Sequence, residues 1–188
     1  CVAFSCMTVQ WKWAQEMSSF IKQSGIDVPI VIGGIHTTMY PEEAISHPDI
    51  DIICLNEGEF PMLELVQALE SGSDYSTIEN LWVRQGGKVI RNSARPKLTA
   101  PELNDLPFAD RALYKKYDHF SKYPFEIFVG SRGCPFKCSF CEVPDINAMY
   151  GGKSVYYRDP VEFVDEIEAA KNQGLLDGKL VMFTDSTF

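Results

Sequence analysis

PIVIGGIHTTMYPEEAISHPDIDIICL, residues 29–55, is the stretch whose reading decides the fold. Pro29-Ile30-Val31-Ile32 is a short apolar run that breaks at Gly33-Gly34, as a buried strand does on entering a loop. Pro41 with Glu42 and Glu43 opens a helix: proline fits the first turn, where its missing N–H is not needed, and acids are favoured there by the helix dipole. Asp51-Ile52-Ile53-Cys54-Leu55 is a second apolar run of strand length. Strand, helix and strand at this spacing predict a parallel βαβ unit, because parallel neighbours need a long crossover.

The same alternation extends on both sides. Val2 to Cys6 reads as a buried strand, followed by a helix with Val9, Trp13, Met17, Phe20 and Ile21 on its apolar face. Ser24-Gly25 ends that helix, and Pro61 to Leu69 predicts another, stopped by Ser71-Gly72. Residues 1–72 therefore form an α/β domain, with ligands expected at the carboxyl ends of its strands. Residues 73–125 differ: Leu81–Arg84 and Lys88–Arg91 read as a hairpin, and Pro96, Pro101, Pro107 and Pro124 suit an ordered connector. Residues 126–188 begin a second α/β pattern, with a strand at Glu126–Val129 and a helix opened by Asp159-Pro160. That helix carries Phe163, Val164, Ile167 and Ala170 on one face and leads to a strand at Leu180–Phe183. A chain that starts at Cys1 in one apolar run and stops at Phe188 just after another predicts a fragment of a longer protein.

The balance of 45% hydrophobic and 23% charged residues is that of an ordinary globular chain. A net charge of −9, with no Lys/Arg run, argues against a nucleic-acid backbone as partner. No apolar stretch approaches the roughly 20 residues that span a bilayer, and no signal-peptide pattern is present, so the chain reads as cytoplasmic.

Of six cysteines, Cys1, Cys6 and Cys54 lie in strand-like segments, where a free thiol behaves as a small hydrophobe. Cys134, Cys138 and Cys141 crowd into Gly133-Cys134-Pro135-Phe136-Lys137-Cys138-Ser139-Phe140-Cys141, with the spacing C-x3-C-x2-C. One such loop can wrap three thiolates around a [4Fe–4S] cluster, leaving one iron open to an exogenous group. A closed zinc site is the first alternative; it takes four ligands, and the closest further candidate, His119, precedes the strand. A disulfide with a spare thiol is the second.

Gly133 to Cys141, with Phe140 before the last cysteine, resembles the signature of radical S-adenosylmethionine (SAM) enzymes. The resemblance implies that the open iron chelates the methionine amino and carboxylate groups, and that one electron cleaves the carbon–sulfur bond to give a 5′-deoxyadenosyl radical. It assigns Phe136 and Phe140 to SAM binding. Thr184, Asp185 and Ser186, within Phe183–Phe188, stand where the family places an amino-group-binding loop, often Gly-Gly-Glu, from which this sequence departs. Tyr156-Tyr157-Arg158 resembles the lead-in to the following helix in the same subgroup.

In the amino-terminal segment, Ser5-Cys6-Met7-Thr8, Gly33-Gly34 and Glu57-Gly58-Glu59-Phe60 resemble motifs of cobalamin-binding domains. The implied contacts are Ser5, Met7, Thr8, Gly33, Gly34, Glu57 and Gly58, the glycines permitting close backbone approach. His36 is a further ligand candidate, against a plain role in the core. The Asp-x-His-x-x-Gly motif of that family is absent, and its place would precede Cys1.

The expected architecture is α/β: a partial Rossmann-like cobalamin-binding domain, then the first strands of a radical SAM partial (β/α) barrel. The implied function is cobalamin-dependent radical chemistry, foremost methyl transfer to an unactivated carbon of a small-molecule substrate. An external one-electron donor such as flavodoxin or ferredoxin would supply the cluster. A cyclase or rearrangement enzyme of the same subgroup is the nearest rival. A non-enzymatic cobalamin module with a structural metal site is the alternative outside enzymes. A methylthiotransferase would need further cluster cysteines in its amino-terminal domain. Holding the cluster cysteines but only two barrel strands, the fragment is expected not to turn over alone.

Overall fold

The two apolar runs flanking Gly33-Gly34 become adjacent strands buried on both faces. The computed structural model describes residues 1–152 and 155–187, so Phe188, the last residue of the motif read after the second barrel strand, lies outside the described residues. The chain divides into two compact units, Cys1–Lys97 and Leu98–Phe188.

The first unit runs β1 (Val2–Ser5), a 3₁₀ turn at Thr8–Gln10, α1 (Trp11–Gln23), β2 (Ile30–Gly33), α2 (Ile35–Met39), α3 (Pro41–Ser46), β3 (Ile52–Cys54), α4 (Glu59–Ser71), β4 (Leu81–Gln85) and β5 (Lys88–Arg91). Its sheet has the order β1-β2-β3-β4-β5. The first three strands are parallel, with Phe4 opposite Ile32 and Ile32 opposite Ile53; β4 then runs antiparallel to β3. Side chains alternate faces along a strand. Ile30, Ile32 and Ile53 thus join Cys6, Trp11, Ala14 and Ile45 on one side, while Val31, Ile52 and Cys54 join Leu65, Leu81 and Val83 on the other. Parallel strands covered on both faces read as unbroken apolar runs, which is why this segment was legible in the sequence.

Two differences from the sequence expectations have physical causes. The hairpin is not part of a connector: β4 pairs with β3 through Ile52↔Val83, so β4 and β5 complete the first sheet. On α1 the buried residues are Trp11, Ala14, Ser18 and Ile21. Val9, Trp13 and Phe20 are exposed. Both stripes have helical spacing, and burial selected the one containing a serine. The Ser18 hydroxyl donates to the Ala14 carbonyl at 2.8 Å, so it enters the core without losing a hydrogen bond. The Trp11 indole N–H donates to Glu43 at 3.1 Å, and the Trp13 ring meets Phe4 edge-on.

The second unit contains α5 (Ala100–Asn104), a 3₁₀ turn at Arg111–Tyr114, α6 (Asp118–Ser121), β6 (Phe125–Phe128), β7 (Ser131–Gly133), α7 (Val143–Met149), β8 (Val155–Tyr157), α8 (Pro160–Asn172) and β9 (Leu180–Phe183). β6 and β9 pair in parallel, and β7 and β8 antiparallel. The mixed α/β architecture agrees with the expected class, the parallel β6–β9 pair representing the start of the second sheet. Asp159 caps α8 by accepting the Val161 N–H at 2.7 Å. Phe128, Ala170 and Leu175 form a small core with Phe163, Ile167 and Leu176. All four residues of β9 are exposed. No described helix is long and apolar enough to cross a membrane.

A buried charge network sits beside that core. Glu166 binds Arg111 at 3.0 Å and also Arg158, while Glu126 takes Lys179 at 3.1 Å. The Arg111 guanidinium lies 4.1 Å from the Phe128 ring centroid. Removing one partner of such a cluster strands the others in a poorly solvated place. Glu166→Ala is therefore expected to cost the second unit about 3–5 kcal/mol, the range for breaking a buried pair. Hydrogen exchange of α8 peptides should show the loss while β2 and β3 peptides keep their protection; unchanged α8 exchange would refute it.

Candidate functional site

The residues singled out in the sequence gather at two places, one in each unit. In the first unit they lie at the carboxyl ends of the three parallel strands. Ser5 is the last residue of β1 and pairs with Gly33. The Cys6 N–H donates to the Gly33 carbonyl at 3.0 Å, and the His36 N–H donates to the Cys6 carbonyl at 3.3 Å. Gly34 is held between these bonds with φ +95°. A Cβ there would stand 2.7 Å from the Cys6 backbone N and O and 3.0 Å from Ser5 Oγ, so both conformation and space exclude a side chain. Gly33 is different: a Cβ on it would make ordinary contacts of 3.7 Å with Cys54.

Threonines pin the loop after Gly34. The Thr37 hydroxyl lies within hydrogen-bond reach of the Gly34 and Cys54 carbonyls, at 3.0 and 3.1 Å. Thr38 Oγ1 donates to the Gly34 carbonyl and accepts the Asn56 N–H at 2.9 Å. Asn56 and Asn80 adopt left-handed backbone, which asparagine tolerates better than most residues. Asn80 Nδ2 donates to the Glu57 carbonyl at 3.1 Å, fixing the Glu57-Gly58 loop beyond β3. Thr37, Thr38, Asn56 and Asn80 escaped the sequence reading, because their weight lies in loop-to-loop hydrogen bonds that no local pattern announces.

Met7 and Thr8 are exposed on the loop after β1. His36, considered as a ligand, belongs to the core. Only 1% of it is exposed, and its ring stacks on Trp11 at 4.4 Å. Nδ1 lies 3.4 Å from Thr8 Oγ1. Burial holds the His36 pKa below its ordinary 6.5, with nearby Glu43 opposing in part. The ring is therefore neutral near pH 7, and protonating it in acid works against the fold.

In the second unit, β7 delivers the chain into the cysteine loop through Gly133 at φ +90°. Cys134 is half-buried: Asn147 Nδ2 donates to its carbonyl at 3.0 Å, and its Sγ lies 2.9 Å from Thr187 Oγ1. The Cys141 N–H donates to the Cys138 carbonyl at 3.1 Å, a turn that brings these two positions close along the chain. Cys138 is exposed and Cys141 half-buried, and no disulfide joins any of the six cysteines in the structure. Among the described residues, no group of three His, Cys, Asp or Glu side chains is gathered to hold a metal ion. Phe136 and Phe140 are 61% and 90% exposed, a large apolar surface beside the thiols.

Thr184 continues the strand edge by donating its N–H to the Phe128 carbonyl at 3.2 Å. Asp185 is engaged within the protein: its Oδ1 accepts the Gly130 N–H at 3.0 Å and the Ser131 hydroxyl at 2.5 Å. Ser186 is exposed. Ser131, Asn147 and Thr187 complete this cluster, and their contacts connect segments too far apart in sequence to be foreseen.

Comparison with known proteins identifies the class first. Residues 1–66 match the family described as the B12 binding domain. An uncharacterized methyltransferase of Pyrococcus horikoshii, PH0819, is 34% identical over 129 residues, covering 68% of this chain and 28% of the relative. The anaerobic magnesium-protoporphyrin IX monomethyl ester cyclase of Rubrivivax gelatinosus is 32% identical over 169 residues, 85% of this chain and 29% of the relative. The solved structure of the radical SAM methyltransferase TsrM from Kitasatospora setae, with cobalamin and a [4Fe–4S] cluster bound, superposes with a TM-score of 0.71. At 22% identity, covering 98% of this chain and 37% of TsrM, that likeness is one of fold. Residues 1–66 belong to the B12-binding family, and the chain shares its fold with the cobalamin-dependent radical SAM structures. It spans less than a third of the length of these two curated relatives.

Gly34→Ala should destabilise the first unit by at least about 1–3 kcal/mol, the cost of a strained backbone position, whereas Gly33→Ala should leave it near wild type. Urea unfolding followed by tryptophan fluorescence separates them, since all three tryptophans lie in that unit. Burial pushes the Cys54 thiol up to about 11 and also raises Cys6. In a brief iodoacetamide pulse on metal-free protein at pH 8, the exposed Cys1 and Cys138 should label first and Cys6 and Cys54 only after denaturation. Equal labelling of Cys54 and Cys138 would refute the burial.

Proposed function

We propose that this chain is the cobalamin-binding unit and the cluster-bearing start of the radical unit of an enzyme that transfers a methyl group to an unactivated carbon. The observation that carries the reading is the joining, in one chain, of a B12-binding domain to a loop of three free thiols spaced C-x3-C-x2-C. The donor set fits an iron–sulfur cluster: three thiols on one loop, with no histidine or carboxylate among them. When bound, the cluster, SAM and cobalamin supply the radical and methyl-transfer chemistry, as cofactors do in such enzymes.

The residues of this chain bind, orient and exclude water. Cys134, Cys138 and Cys141 hold the cluster. Phe136 and Phe140 offer apolar faces for an adenine ring, and covering them removes surface that water solvates poorly. Thr184 and Ser186 line the same strand end, while Asp185 holds that end against Gly130 and Ser131. In the first unit, Ser5 and Thr8 carry hydroxyls, and Met7 an apolar edge, at the strand ends where α/β sheets take ligands. Gly33 and Gly34 present bare backbone there, with Glu57 and Gly58 on the neighbouring loop. The fold rests on Gly34, so Gly33 is the glycine free to admit a ligand.

The substrate is a small molecule, the electron comes from a flavodoxin- or ferredoxin-type donor, and the enzyme works in the cytoplasm. A cyclisation is the second reading, favoured by the 32% identity to the Rubrivivax cyclase over 85% of the chain. The test uses the full-length enzyme, anaerobic and cluster-loaded, with methyl-labelled SAM and a protein-free metabolite extract of its source. Methyl transfer predicts labelled product beside 5′-deoxyadenosine. Deoxyadenosine with no label in any product would discard it in favour of cyclisation.

A further inference from the structure

The loop after β9 touches the first cysteine in a way the family motif does not describe. Thr187 Oγ1 lies 2.9 Å from Cys134 Sγ. While the sulfur is a thiol either partner can donate. Once it is an iron-bound thiolate it carries no proton, and only the Thr187 hydroxyl can donate. We propose that Thr187 is a positioning residue for Cys134, directing a hydrogen bond onto its sulfur and so raising the readiness of a bound cluster to accept an electron. The inference rests on the cluster reading given above.

Thr187 is held in place from behind. Asp185, two residues earlier, accepts the Gly130 N–H and the Ser131 hydroxyl. Ser131 is buried and begins the strand that ends at Gly133, just before Cys134. The Gly130 carbonyl in turn accepts the Arg158 N–H at 2.9 Å. The loop after β9 and the segment leading into Cys134 are therefore tied at two points, one through Asp185 and one through Thr187. This is the arrangement that keeps a short hydroxyl aimed at one sulfur.

Hydrogen bonds to cluster sulfurs are one of the determinants of reduction potential. Reduction adds one electron to the cluster and breaks no bond. It places more negative charge on the sulfurs, and a hydroxyl dipole pointed at one of them favours that state, as charge-assisted hydrogen bonds do. Thr187→Val keeps the shape and removes the donor. Thr187→Ser keeps the donor and removes the methyl group.

The test is a potentiometric titration of the full-length, cluster-reconstituted protein with dithionite, followed by electron paramagnetic resonance of the reduced cluster. Thr187→Val should lower the midpoint potential at full iron content, and Thr187→Ser should return it to the wild-type value. Equal potentials for Thr187→Val and wild type, or the same drop in Thr187→Ser, would overturn the proposal. If Thr187→Val fails to take up iron while Thr187→Ser loads fully, the hydroxyl is still the cause and the proposal stands; failure of both makes packing the cause and defeats it. A wild-type protein that takes up no iron and sulfide would refute the functional reading itself, and this inference with it.

Discussion

The first unit depends on how closely two strand ends approach at Gly34. The Gly34 backbone rests against the main chain of Cys6, where the Cys6 N–H reaches back to Gly33 and the Cys6 carbonyl takes the His36 N–H. Any side chain would have to push these strand ends apart. That would break the register in which Ser5 faces Gly33, and with it the shared rim of the three parallel strands. Thr37 and Thr38 complete the rim by turning their hydroxyls back onto the Gly34 carbonyl. The proposed cobalamin contacts of this unit stand at that rim: Ser5 and Gly33 close β1 and β2, and Met7, Thr8, Gly34, Glu57 and Gly58 follow the strand ends.

In the second unit the equivalent constraint is polar. Asp185, just after β9, meets the backbone just before the cysteine loop, so the segment leading into Cys134 is held by a partner 54 residues away from Ser131 in the chain. The buried Glu166 cluster steadies the same region from below by joining the 3₁₀ turn at Arg111–Tyr114 to Arg158 and α8. A small core of Phe128, Ala170 and Leu175 has little apolar area, and paired charges around it limit the ways its helix can slide. The exposed side chains of the cysteine loop contrast with this rigid base. Backbone tied by hydrogen bonds lies on one side, and the exposed Cys138, Phe136 and Phe140 on the other.

The strand runs and the cysteine spacing could be read directly, because each is a local property of chain composition. Ile30–Ile32 and Ile52–Cys54 are apolar in succession since both faces of their sheet are covered. Of the face expected for this helix, Ile21 is buried and Met17 half-buried while Trp13 and Phe20 are exposed, because a second stripe of helical spacing competes. The rule that favours Trp13 and Phe20 over Ser18 ignores a serine's ability to satisfy itself on the preceding turn. The hairpin was recognised as a hairpin, yet nothing in Leu81–Arg91 states that its partner is β3. Strand pairing across a gap of this length is a choice made by packing.

By itself, then, the sequence determined the α/β class, the positions of the parallel strands, the glycine pair and the three candidate cluster cysteines. All of these are written in periodicity, turn chemistry or spacing. The tertiary structure alone decided that Gly34 rather than Gly33 is indispensable to the fold, that His36 is buried beside Trp11, and that Asp185 and Thr187 reach the segment carrying Cys134. The reason is physical. A side chain's space, its burial and its hydrogen-bond partners are set by atoms brought close only when distant segments pack together.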